Sequence, residues 1–147
     1  MAFLKAHDGR RAVVVLTDGR DENNPGTAPG SAHTLDDVLV QARETGTTVY
    51  AIGLGPRVDR DGLTRIAESS GGTAYFPEDV SQLAERFHRV VDDLRRRYLV
   101  TYTSTNSKRD GSWRTVSFET ARPDLVVRSA GGYTAPGRIR PTLAPEP

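Results

Sequence analysis

The chain has 147 residues, 36% of them hydrophobic and 27% charged, a size and composition that allow one globular core. Lys+Arg 20 against Asp+Glu 19 leaves a formal net charge of +1, so no overall field draws the molecule to nucleic acid or to an anionic membrane, and partners must be recognised locally. Cysteine is absent, which removes disulfides, thiolate zinc sites and thiol nucleophiles together.

The first residues, Met1 to His7, hold no apolar run long enough for a signal-peptide core, and nothing later approaches the roughly 18 apolar residues of a spanning helix. As it stands the chain is expected to be cytosolic or truncated. Ala12-Val13-Val14-Val15-Leu16-Thr17 is a continuous apolar run without alternation, which predicts a strand buried on both faces of a parallel sheet, ending at Asp18-Gly19. After a polar loop, Thr34 is placed to cap a helix carrying Leu35, Val38, Leu39 and Ala42 at helical spacing, with Gly46 as a left-handed stop. Val49-Tyr50-Ala51-Ile52 predicts a second buried strand closing on Gly53-Leu54-Gly55-Pro56, so strand, helix and strand form a right-handed crossover.

A short helix follows from about Asp59 to Ser70, and Gly71-Gly72 leads into a third short strand, Thr73 to Phe76. The strongest helical pattern runs from about Asp79 to Arg97, with Leu83, Phe87, Val90, Val91 and Leu94 on its apolar face. Acids at its start and Arg95-Arg96-Arg97 at its end suit the helix dipole. Beyond it the period changes to two. Tyr98 to Tyr102, Arg114 to Phe118 and Leu125 to Arg128 predict an antiparallel meander, and from about Ala135 a proline-rich stretch predicts an unstructured tail. The expected fold is α/β: a partial doubly wound, Rossmann-like parallel sheet over 1–97, a β extension over 98–133 packed on it, and a disordered tail over 134–147.

Asp18 directly follows a buried strand, and ligands of open parallel sheets gather beyond the carboxyl ends of the strands. Its carboxylate therefore reads either as a ligand or as an Asx turn before Gly19. Asp21 and Glu22 add oxygen donors of the kind a hard cation takes, although a solvated acidic loop explains them as well. Gly53-Leu54-Gly55 lacks the third glycine of a dinucleotide fingerprint. His7, His33 and His88 show no metal-ligand spacing and read as solvated. Arg95, Arg96 and Arg97 fit a helix C-terminus better than a phosphate site. Trp113, Tyr98, Tyr102 and Phe118 read as cover for the meander's core face ahead of a binding platform.

Arg11 to Gly19, then Val49 to Gly55, then Leu63, Ile66-Ala67, Gly71-Gly72 and Tyr75-Phe76 resemble, in order and spacing, the second half of a von Willebrand factor A domain. The later blocks, Tyr98 to Tyr102, Asp110-Gly111, Trp113-Arg114, Val116 and Arg128 through Gly132-Tyr133, are similar to the extension of a bacterial group of related proteins. The resemblance implies a non-enzymatic interaction or adhesion module. Its metal-ion-dependent adhesion site holds Mg²⁺, or Mn²⁺ or Ca²⁺, between an Asp-x-Ser-x-Ser motif, a Thr and the Asp of a Thr-Asp-Gly segment, and a partner's acidic residue completes the ion's shell. Only Asp18 matches that pattern.

No Asp-x-Ser-x-Ser occurs in the chain, and 17 residues precede Asp18. The expectation is thus a truncated domain with a degenerate site and little tight metal binding of its own. Loss of a central strand would expose the sheet and favour self-association. An exported or membrane-anchored parent is implied by the resemblance. Two further classes stay open: a metal-dependent hydrolase using Asp18, Asp21 and Glu22, and a scaffold that binds neither metal nor partner.

Overall fold

The computed structural model describes residues 9–19, 22, 27–28 and 30–137. Its centre is the second strand, β2 (Thr47–Gly53), whose seven residues are all buried. On one side β2 pairs in parallel with β1 (Arg11–Thr17), from Arg11 opposite Thr47 to Thr17 opposite Gly53. On the other it pairs in parallel with the two-residue β3 (Ala74–Tyr75), Ala51 opposite Ala74 and Ile52 opposite Tyr75. The order is β1-β2-β3, all parallel, with a helix in each connection.

The helices start and stop where local hydrogen bonding dictates. For α1 (Leu35–Thr45), Thr34 and Asp37 form a reciprocal cap: the Asp37 amide donates to Thr34 Oγ1 (3.2 Å) and the Thr34 amide to Asp37 Oδ2 (2.8 Å). The Thr34 amide, with its hydroxyl, holds the Asp37 carboxyl below the usual carboxylate range, so this cap persists at neutral pH and fades as pH falls through that lowered value. Gly46 ends the helix at φ 59°, a left-handed conformation that costs other residues strain. Asp59 caps α2 (Arg60–Ser69), accepting the Gly62 amide at 3.0 Å. The helix expected from Asp79 begins instead as a 3₁₀ turn, Val80–Gln82, and becomes α3 at Leu83–Arg95.

Tyr50 and Ile52 form the core with the fully buried Val90 of α3, flanked by Tyr75, Leu83 and Leu94. Phe87 was expected on that apolar face but is half exposed. The expectation that β1 is buried on both faces also needs correction. Val14 is 37% and Leu16 58% exposed, whereas Val13, Val15 and Thr17 are half buried, so the face that carries the even positions of β1 is left largely uncovered among the described residues.

The β extension is smaller than its sequence pattern predicts. β4 (Trp113–Thr115) pairs antiparallel with β5 (Gly132–Thr134), Trp113 opposite Thr134. Tyr98 to Tyr102 and Leu125 to Arg128 are not strands, and Tyr98 is 94% exposed. Alternating apolar residues make a strand only where a partner and a face to bury are at hand, and neither reaches these segments. Thr134 belongs to β5, and Ala135 is buried with its amide donating to the Ser112 carbonyl (2.9 Å). The expected tail from 138 onward lies outside the described residues.

The extension sits at the amino end of the parallel sheet. There the Arg43 guanidinium lies 5.1 Å from the Trp113 ring centroid, Gly71 abuts the backbone of Ser129 and Ala130, and Arg128 reaches Asp93 at 3.9 Å. Arg97, which follows α3, donates to Thr48 Oγ1 and to the Gly71 carbonyl and lies over the Tyr50 ring.

Gly72 makes this packing testable. A Cβ there would collide with the backbone carbonyl of Val49 in β2, whereas one at Gly19 would meet no described residue within 4 Å. Gly72→Ala is expected to lower unfolding free energy by about 2 kcal/mol or more and Gly19→Ala by less than about 0.5 kcal/mol, read from chemical denaturation midpoints.

Candidate functional site

At the carboxyl end of the sheet the ends of β1 and β2 are tied together: the Leu54 amide donates to the Thr17 carbonyl at 2.9 Å. The described hydrogen bond of the following turn uses Thr17 rather than Asp18, with the Gly19 amide donating to Thr17 Oγ1 at 3.4 Å. Asp18 itself is exposed. Gly55, whose φ of 97° favours glycine, lies beside it, a Cβ there standing 3.9 Å from the Asp18 carbonyl oxygen, and Gly53 has no room for a Cβ against Val58 and Phe76.

Of the other residues singled out from sequence, Glu22 is exposed and Asp21 lies outside the described residues. Asp59, the next acid near this end, is committed to capping α2. Arg57 and Arg60 are exposed, with the Arg60 guanidinium 4.9 Å from the Phe76 centroid. His33 and His88 are exposed and His7 lies outside the described residues. Arg95 and Arg96 are exposed. Arg97 instead serves the amino end of the sheet, a structural role that its place in an arginine run concealed. Trp113 is half buried under Arg43, while Tyr102 meets Tyr133 edge-on at 6.1 Å and Phe118 is exposed. No platform gathers all four aromatics.

The parallel sheet, its helices and the Thr-Asp-Gly corner point to one family, and direct comparison decides it. The family model described as the von Willebrand factor type A domain matches residues 2–89, more than half of the chain. The chain belongs to the von Willebrand factor type A domain family. Such domains are generally interaction modules, and they commonly bind a divalent cation at a metal-ion-dependent adhesion site. The match ends within α3, so β4 and β5 lie beyond it. The solved structure of an uncharacterized membrane spanning protein from Vibrio fischeri is similar at 22% identity and a TM-score of 0.48, over 60% of this chain and 49% of that one. The chain thus spans about half the length of that protein. No curated protein matches it.

A hard cation such as Mg²⁺ takes about six oxygen ligands in near-octahedral order. Among the described residues no group of three or more His, Cys, Asp or Glu is placed to hold a metal. Among the described residues this corner shows the Asp18 carboxylate and the Thr17 hydroxyl as side-chain oxygen donors, fewer than such an ion takes, and Asp21 lies outside them. Calorimetric titration of the chain with Mg²⁺ or Mn²⁺ is expected to match that of an Asp18→Ala variant. A clear, Asp18-dependent isotherm would contradict this.

Proposed function

We propose that this chain is a protein-interaction module that meets its partner at the carboxyl end of the sheet, around Asp18. The observation that carries this reading is the difference between the two ends. The amino end is covered by the β extension, Arg97 and Arg43, whereas the carboxyl end presents an exposed carboxylate on a glycine-rich corner. The proposed organisation is an α/β unit over 1–97, a β extension over 98–133 and a tail over 134–147.

In this reading Asp18 is what the chain contributes to a degenerate metal-ion-dependent adhesion site. Mg²⁺, Mn²⁺ or Ca²⁺ would join it only where further oxygen ligands are brought to this corner, and an acidic partner residue could dock only across such an ion, since two carboxylates otherwise repel. The module is non-enzymatic in this reading, and a hydrolase built on Asp18, Asp21 and Glu22 is the alternative; among the described residues Asp18 and Glu22 are exposed, and Asp21 lies outside them. No nucleic-acid or membrane-inserting role is proposed; among the described residues no helix is long and apolar enough to cross a membrane.

Site-specific photo-cross-linking in the native host tests the contact surface. A cross-linker at the exposed Arg57, near Asp18, is expected to trap a protein adduct, and one at the exposed Glu44, at the opposite end, is not. Equal trapping from both positions, or none from Arg57, would refute the assignment. Incubation with phosphoester substrates and Mn²⁺ is expected to give no turnover that Asp18→Ala abolishes; such turnover would establish the hydrolase.

A further inference from the structure

Arg60 opens α2 between two acids, Asp59 and Asp61, and pairs with neither. Asp59 spends its carboxylate on the helix cap, accepting the Gly62 amide at 3.0 Å. The exposed Arg60 side chain turns instead to Phe76, its guanidinium carbon lying over the ring at 4.9 Å from the centroid. Among the described residues no carboxylate stands within ion-pair reach of it.

The ring is a firm support. Phe76 follows β3 directly, and a Cβ on Gly53, the last residue of β2, would stand 3.0 Å from its Cδ1. Gly53 pairs with Thr17, so the ring and its arginine lie one strand away from the Asp18 corner. Contact with an aromatic ring orients a guanidinium and leaves its N–H donors for a stronger acceptor. The result is a positioned, solvent-facing fork, and such a fork matches a carboxylate through two parallel hydrogen bonds.

The two groups at this end of the sheet therefore ask different things of a partner. At Asp18 an acidic partner residue needs an intervening ion, whereas at Arg60 it needs none. Restriction by the ring also lowers the freedom that Arg60 loses when a carboxylate arrives, which is what makes stacked arginines effective anchors.

We infer that Arg60, seated on Phe76, is an anchor of the proposed contact surface and takes an Asp or Glu side chain from an acidic segment of the partner protein, directly and without metal. The inference rests on the interaction-module reading and adds the partner's chemistry to it.

Side-chain Nε–Hε resonances of the ¹⁵N-labelled full chain, followed in EDTA during titration with a blocked tetraglutamate peptide, test this. The Arg60 resonance is expected to shift saturably and further than those of Arg95 and Arg96, which are exposed and lie over no described ring. A tetraglutamine peptide should leave it in place. Arg60→Lys keeps the charge and loses the fork, and should weaken the peptide by about fivefold or more, read from the Asp61 and Gly62 amides. Phe76→Leu, where circular dichroism shows it folded, should weaken the peptide as well. Equal shifts at Arg60, Arg95 and Arg96, or an affinity unchanged in Arg60→Lys, overturn the inference, and so does tighter binding of inorganic phosphate than of the peptide. In the native host, Arg60→Glu should remove the adduct trapped from position 57. An adduct that persists at full yield overturns the Arg60 anchor and leaves the contact surface standing; no adduct with Arg60 intact removes both.

Discussion

The burial of β2 is the constraint on which the rest of the structure depends. A strand paired in parallel on both sides and covered on both faces must satisfy every backbone group within the protein, and it does so through β1, through β3, and through single side chains at its start. The Val49 amide donates to Ser70 Oγ at 2.8 Å, and Ser70 in turn donates to the Ala67 carbonyl, so the end of α2 is fastened to the strand it follows. Arg97 fastens the end of α3 to Thr48 in the same way. The tight approach of Gly72 to Val49 is a further consequence, since only a residue without a side chain lets the chain pass there.

Because the connections are strand, helix, strand, helix termini alternate with strand termini, and the two ends of the sheet acquire different chemistry. At the amino end the helix C-termini present carbonyls, and arginines answer them: Arg11 donates to the Thr45 carbonyl at 2.8 Å and Arg97 to that of Gly71. The β extension packs over this end. At the carboxyl end stand the glycine corners and Asp18. This polarity is what the proposed contact surface rests on, and it follows from the connectivity rather than from any single residue.

Much of this was legible in the sequence because local signals carried it. The Thr34 cap, the Gly46 stop, the Asp59 start and the parallel order each rest on a few neighbouring residues whose chemistry permits little else. What escaped was what depends on distant partners. Ala12 to Thr17 reads as a doubly buried strand, yet burial depends on what packs over each face, and Val14 and Leu16 lie on a face left largely uncovered among the described residues. Tyr98 to Tyr102 and Leu125 to Arg128 have strand composition without a strand to pair with, while Gly132 to Thr134, too short to register as a pattern, finds Trp113 to Thr115. Arg97 and Arg43 act across 49 and 70 positions respectively, on Thr48 and Trp113, and no spacing rule marks them. For the site, Asp18 was visible from its place after an apolar strand, but which donors stand beside it among the described residues needed coordinates.

The rest of the structure turns on β2 being buried along its whole length and paired on both sides. Residue-resolved amide hydrogen exchange measures that directly. Val49 to Ile52 are expected to exchange slowest in the protein, more slowly than the amides of β4 and β5. Exchange of Val49 to Ile52 as fast as that of β4 and β5 would contradict it.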